Sequence, residues 1–181
     1  MRLSILLLAV GMAACAAEHD AVPLMNGSGP PDAAAYGDEV VRGYAQARLA
    51  TERFHTIDSA VAVGYPAVVA QCFTDTVHAH GAMGYHHVNR AYMDSIVDVE
   101  KPEILLYART ADGRYELNGV EYILPYRYWP RDSVPPRLMG RELFREDERN
   151  YWYAHMWVWK ENPAGLFADW NPAVACRDEG G

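Results

Sequence analysis

The chain has 181 residues, half of them hydrophobic and 12% aromatic, with a formal charge of −8 at pH 7. That length and apolar share suit one packed domain plus an N-terminal appendage. The acidic balance carries no basic footprint, so no nucleic-acid partner is expected. Five Trp and twelve Tyr stand against four Phe, a bias towards rings with a polar tip that suits pocket walls.

In chain order, Arg2 supplies a positive n-region and Leu3 to Met12 an apolar run too short to span a bilayer as a folded helix. Met12-Ala13-Ala14-Cys15 has the form of a bacterial lipobox, in which the cysteine is lipidated and becomes the new N-terminus. Met stands where Leu is usual, so cleavage by the ordinary signal peptidase is an alternative, and a buried N-terminal helix is a third reading. Residues 1–15 are therefore expected to be a signal peptide ending at the lipidation site Cys15. The lipid would hold an exported protein at the cell envelope, periplasmic or on the outer face of the membrane. Residues 16–37, rich in Ala, Gly and Pro and without periodicity, read as a flexible tether. Residues 38–181 read as a single domain.

Asp38 and Glu39 suit the positive end of a helix. Val40, Tyr44, Ala47, Ala50, Phe54, Ile57 and Val61 then recur at threes and fours as one apolar stripe. Thr56 or Asp58 is placed to cap a second helix after a bend near Ile57, with Gly64 and Pro66 as its stop. Beyond Cys72 the period changes to two. Gly84 to Asn89, Glu103 to Ala108, Tyr115 to Leu124 and Tyr151 to Trp159 read as strands, with an Asp112-Gly113 hairpin turn between the second and third. Tyr92 to Val97 reads as a short helix, Pro125 to Pro136 as a long loop, and Arg141 to Arg149 as a helical turn or loop. The class is α+β: N-terminal helices packed on a mostly antiparallel β-sheet.

With Cys15 assigned to lipid, Cys72 and Cys176 remain, and an oxidising compartment favours a disulfide between them. Metal ligation by two thiols without CxxC spacing is the alternative.

The densest chemistry is TVHAHGAMGYHHVN at 76–89, with His78, His80, His86 and His87 around Gly81 and Gly84 as a hinge. Adjacent His86 and His87 point to opposite faces of a strand, and His86 is the one favoured for a shared site. His155 falls on one face with Tyr151, Tyr153, Trp157 and Trp159. Glu121 shares a face with Tyr115, Leu117 and Ile123, where a carboxylate must be paired, protonated or bound to a cation. Imidazoles with a carboxylate suit Zn, Cu or Fe, although hydrogen-bonding loop histidines are the plainer reading. No HExxH motif, Gly-x-Ser-x-Gly elbow or phosphate loop is present, so no reaction is assigned.

GAMGYHHVN at 81–89, KPEILLY at 101–107, NGVEYILP at 118–125 and YAHMWVWKENPAGLFADWNPAVAC at 153–176 together resemble a family of exported bacterial proteins of unknown function. The resemblance implies export and draws attention to His86, Glu121, His155 and Trp157. The block NPAGLFADWNP also reads as a packed C-terminal arm anchored by Phe167 and Trp170. Two functional expectations follow. One is a transition-metal site of His86, Glu121 and His155, with His80 as a further ligand. The other is a metal-free module in which Trp157, Tyr153, Trp159 and Trp129 line a pocket for a sugar or other small ligand. A purely structural envelope protein is the third possibility.

Overall fold

The structure, a computed structural model, describes residue 30, residues 32–67 and residues 71–177. The expected signal peptide, the lipobox with Cys15 and the tether as far as residue 29 lie outside the described residues. Among the described residues no helix is long and apolar enough to cross a membrane. At the end of the expected tether, the ring of Tyr36 meets Phe167 edge to face, so packing against the domain begins before Asp38.

The fold is mixed α+β and mostly sheet. One helix is long, α1 at Asp38–Thr51, with Asp38 and Glu39 in its first turn. It buries Val40, Tyr44 and Ala47, the stripe expected from their spacing. The pattern then tightens into a 3₁₀ turn at Glu52–His55, which buries Phe54. Thr56 is extended and ends that turn, and α2 follows as only five residues, Ile57–Val61. Val61, the last member of the stripe, is exposed. α2 ends at Val61, two residues before the expected Val63, and Gly64, the expected stop, follows in the left-handed region at φ +105°.

Among the described residues eight strands follow. Six form one antiparallel sheet in the order β1-β2-β3-β4-β8-β7: β1 Cys72–Thr74, β2 Ala82–Val88, β3 Ile104–Arg109, β4 Tyr115–Pro125, β7 Phe144–Glu146 and β8 Tyr151–Met156. The short pair β5 Arg137–Leu138 and β6 Arg141–Glu142 stands apart. Residues 141–149 thus supply strands, not a helical turn, because β7 finds β8 as its partner. The helix expected at Tyr92 to Val97 is reduced to a 3₁₀ turn at Arg90–Tyr92, where the Asn89 side chain accepts the Ala91 N–H.

The two faces of the sheet are different. Leu105, Tyr107, Val120, Tyr122, Leu124, Trp152, Ala154 and Met156 join Val40, Tyr44, Ala47 and Phe54 in one large apolar cluster. The opposite face holds a smaller cluster of Ile104, Leu106 and Ile123, edged by Tyr151 and Tyr153. A bulge sets which residues of β4 face which side. Tyr107 pairs with Leu117 but Leu106 pairs with Gly119, so Asn118 is the extra residue. Its carbonyl accepts the N–H groups of Trp159 and Lys160. The bulge puts Tyr115 and Leu117 on the α1 side, and Glu121 shares its face with Gly119 and Ile123 instead. Strict alternation misplaced those two residues because one inserted residue inverts everything before it.

A second departure is the end of β8. It stops at Met156, not Trp159, where the chain turns and Trp159 crosses to the α1 side. Its Nε1–H donates to the Thr51 hydroxyl and its ring lies under the Arg48 guanidinium. The C-terminal arm returns to the sheet through an antiparallel bridge between Ala82 and Asn171. Cys72 and Cys176 then form a disulfide across 104 residues of sequence, with Cα atoms 5.7 Å apart. Closing a loop of that length restricts the unfolded chain by about 5 kcal/mol in the chain-entropy account.

Candidate metal centre

Glu121 and His155 are paired directly across β4 and β8, which places their side chains side by side on one face. His86 comes from β2, where it pairs with Leu106 of the intervening β3. Its ring leans over that strand to reach the same point. Gly84 permits this approach. It holds φ +92°, and a Cβ there would stand 2.3 Å from the Tyr107 carbonyl oxygen. Gly84 therefore lets β2 lie close against β3 and is not a hinge. His87, one residue on, points to the other face, between Tyr107 and Tyr115, with its Nδ1–H donating to the Pro66 carbonyl.

Three donor atoms meet on the sheet. His86 Nε2 is 3.4 Å from Glu121 Oε2 and His155 Nε2 is 3.5 Å from the same oxygen. Side-chain exposures are 12%, 4% and 2% for His86, Glu121 and His155. The three atoms lie within 4.8 Å of one another. Donors on a common ion at ~2.0–2.2 Å stand ~3–3.5 Å apart at right-angle or tetrahedral positions, and both His–Glu separations fall in that range. The protein thus has a buried His/Glu/His triad that could hold a metal.

Each ring is also held from behind. His86 Nδ1–H donates to the Gly84 carbonyl at 3.2 Å, and His155 Nδ1–H to Asp169 Oδ1 at 3.0 Å. With the far nitrogens so engaged, both Nε2 atoms face the centre, as outer partners do for metal-bound histidines. Asp169 is itself fixed by its neighbours and by a ring. Tyr153 donates its hydroxyl to Oδ2 at 3.0 Å, the Ala168 carbonyl accepts from Trp157 Nε1, and Asn171 is bridged to Ala82. Phe73 of β1 lies against the His86 ring at 4.8 Å between centroids.

The charges are unequal. Burial pushes the His86 imidazole down to about 4, against the pull of the Glu121 charge, so this ring is neutral at pH 7. Burial also works against a charged His155, but the Glu121 carboxylate and the Asp169 hydrogen bond outweigh it and raise the ring to about 9. Burial disfavours ionisation of Glu121, yet the two rings, His155 foremost, hold its carboxyl below the usual range. At neutral pH the centre is therefore an imidazolium, a carboxylate and a neutral imidazole. At 3.5 Å the His155–Glu121 contact is an ion-pair distance without hydrogen-bond geometry. Glu121 Oε2 and His155 Nε2 are buried with no hydrogen-bond partner among the described residues. Such atoms are costly unless something else occupies the space between them.

His80 does not join this centre. It sits in the β1–β2 loop with Asp75 and His78, because β2 begins only at Ala82 and carries His86 away along the strand. The four aromatic residues expected to share a pocket occupy separate environments. Tyr153 stays beside His155. Trp157 is buried with Ala82, Ala108 and Val174, and Trp159 faces α1. Trp129 sits in the 125–136 loop, its Nε1–H donating to Val134 and its carbonyl accepting from Trp152. Sequence reading had no signal for the role of Asp169: it is one carboxylate in a long arm, and only the bridge and the disulfide bring that arm to His155. The Gly84 carbonyl was equally invisible, since a backbone acceptor leaves no residue type to notice. Comparison with family models, with curated proteins and with solved structures gave no match for this chain.

Proposed function

We propose that this protein is an exported, envelope-anchored domain that holds one divalent transition-metal ion through His86, Glu121 and His155. The observation that carries the reading is the convergence of two Nε2 atoms and a carboxylate oxygen, two of the three without hydrogen-bond partners among the described residues. The donor set of two imidazoles and one carboxylate suits Zn²⁺, Fe²⁺ or Cu²⁺ and lacks the thiolates that select softer ions. Three chain ligands leave coordination positions for water, and a bound ion there would supply Lewis acidity. Asp169 and the Gly84 carbonyl keep the rings aimed before any ion arrives. Export rests on the lipobox-like Met12-Ala13-Ala14-Cys15 and on the disulfide, which belongs to an oxidising compartment. Membership of the family of exported proteins with the GAMGYHHVN and ENPAGLFADWNP blocks is part of the same proposal.

Elemental analysis of protein purified without a His tag tests the centre. One equivalent that survives desalting is expected, absent from His86→Ala and from Glu121→Ala. No tightly held metal after incubation with Zn²⁺, Fe²⁺ and Cu²⁺ in turn overturns it. For the anchor, mass spectrometry of the mature N-terminal peptide should show diacylglyceryl on Cys15, and Cys15→Ala should release the protein from membranes. An unmodified Cys15 removes that half of the proposal.

A further inference from the structure

The β1–β2 loop carries a second cluster built from the same residue types. Asp75 opens the loop, and its Oδ1 accepts the N–H groups of Val77 and His78, both at 2.9 Å. Oδ2 accepts the His80 N–H at 3.3 Å and lies 2.9 Å from His80 Nδ1 and 3.8 Å from His78 Nδ1. Ala79, between the histidines, is in the left-handed region at φ +56°, where a side chain costs roughly 1 kcal/mol. That turn brings the two rings into a stack, 5.3 Å between centroids and 16° between planes. A ligand atom from each of the three residues lies within 4.8 Å of the others. His78 and His80 side chains are 68% and 63% exposed, while the Asp75 side chain is 7% exposed. Exposed rings thus stand over a carboxylate held by three backbone N–H groups.

We propose that Asp75, His78 and His80 form a second, solvent-exposed site for a divalent transition-metal ion, tighter for Cu²⁺ than for Zn²⁺. Two imidazole nitrogens are borderline donors and the carboxylate oxygen a hard one, and at such an N/O set affinity rises towards Cu²⁺. The 2.9 Å between His80 Nδ1 and Asp75 Oδ2 matches two neighbouring positions on one ion at ~2.0–2.1 Å. The site does not share an ion with the His86 centre. His86 lies four residues along β2 from Ala82, ~13 Å at strand spacing, and the loop begins beyond Ala82. Exposure makes this an exchanging site, filled and emptied from solution, and it stands independently of the buried triad.

The test is a Cu²⁺ titration, and then a Zn²⁺ titration, of the full untagged chain against a chromophoric chelator, with His19→Ala in every sample so that the single histidine of residues 1–29 contributes nothing. Two classes of equivalent are expected, the weaker one absent from His78→Ala/His80→Ala and retained in Glu121→Ala. The single His80→Ala change should weaken that class by more than the ~10-fold that loss of an outer partner costs at a metal site. Cu²⁺ electron paramagnetic resonance should show nitrogen hyperfine structure for the outer ion that the double variant lacks. A double variant that binds as the parent does overturns this site and leaves the buried centre untouched. A parent that binds one equivalent, lost in the double variant, supports the outer site and overturns the buried one. Circular dichroism of the double variant, altered only at exposed side chains, checks that the loss is local.

Discussion

Glu103 and Glu121 lie at neighbouring strands of the central hairpin, 1% and 3% exposed, on opposite faces of the sheet. Glu103 precedes β3 on the α1 side, near Tyr65 and Tyr122. Pro102 cannot donate to the ladder, and the Glu103 carboxyl instead accepts the Ile123 N–H at 3.0 Å. Burial pushes it up to about 8, and the nearby charges, Asp94 and Glu121, push the same way. Glu121 is as deeply buried, yet His155 and His86 keep it ionised. Depth alone therefore does not make a carboxylate chemical. Glu103 is a neutral backbone partner, whereas Glu121 is charged because the His155 imidazolium meets it across the ladder.

The largest effect follows from breaking the charged side of this comparison. Glu121→Ala leaves the His155 imidazolium buried with Asp169 as its remaining partner, and removal of one member of a buried pair costs about 3–5 kcal/mol. Urea unfolding at pH 7 measures it; a cost under about 1 kcal/mol would mean that the pair contributes little and the comparison with Glu103 is empty. The neutral side is tested by pH. Glu103 has a folded pKa of about 8 against 4.5, so the native state keeps a proton that the unfolded chain releases. Its contribution is full below pH 4.5 and is lost as pH rises towards 8, at up to ~1.4 kcal/mol per unit. Glu103→Gln keeps an acceptor for Ile123 and removes that slope. The variant should gain on the wild type between pH 5 and 8.5, and parallel stability curves over that range would show Glu103 to be ionised after all.

The difference between these two glutamates was half legible in the sequence. Alternation placed His155 on one face of its strand and separated His86 from His87, and the expense of a carboxylate among apolar neighbours drew attention to Glu121. Glu103 drew none, because it was read only as the first residue of a strand, and an end position gives no sign of burial. The bulge at Asn118 was also silent: pairing registers depend on the partner strand, and no local pattern records one extra residue. Trp159 misled for the same reason, since an unbroken aromatic alternation does not show where β8 loses its partner. The helix stripe was readable through Phe54 because burial there follows periodicity, and it failed at Val61, the last residue of α2, whose side chain is exposed.

Between the large effects and the small ones lies the support for His155. Asp169→Asn retains size but replaces a charged acceptor of the Nδ1–H by an amide. Loss of such an outer partner weakens metal binding by about 10–100-fold. The decline should be confined to the buried centre, leaving Cu²⁺ at Asp75, His78 and His80 unchanged. Equal weakening of both sites would mean that the arm supports the whole β1–β2 region and not one ring.

Tyr153→Phe asks how Asp169 is held. The hydroxyl donates to Oδ2 at 3.0 Å, and an ordinary hydrogen bond contributes about 0.5–1.5 kcal/mol. The Asp169 side chain is 36% exposed, so water can replace the lost donor and the low end of that range is expected. A loss of that size lowers Tm by roughly 1–2 °C in a chain this long. Metal affinity should change less than threefold, roughly 0.6 kcal/mol, because the backbone on either side of Asp169 stays fixed by Trp157 Nε1 at Ala168 and by the Ala82–Asn171 bridge. If Tyr153→Phe instead weakens binding as much as Asp169→Asn, the carboxylate is positioned by the ring hydroxyl and not by the arm. Aim at the centre would then come from β8 itself, two residues from His155, and the disulfide-tied arm would serve only to cover it.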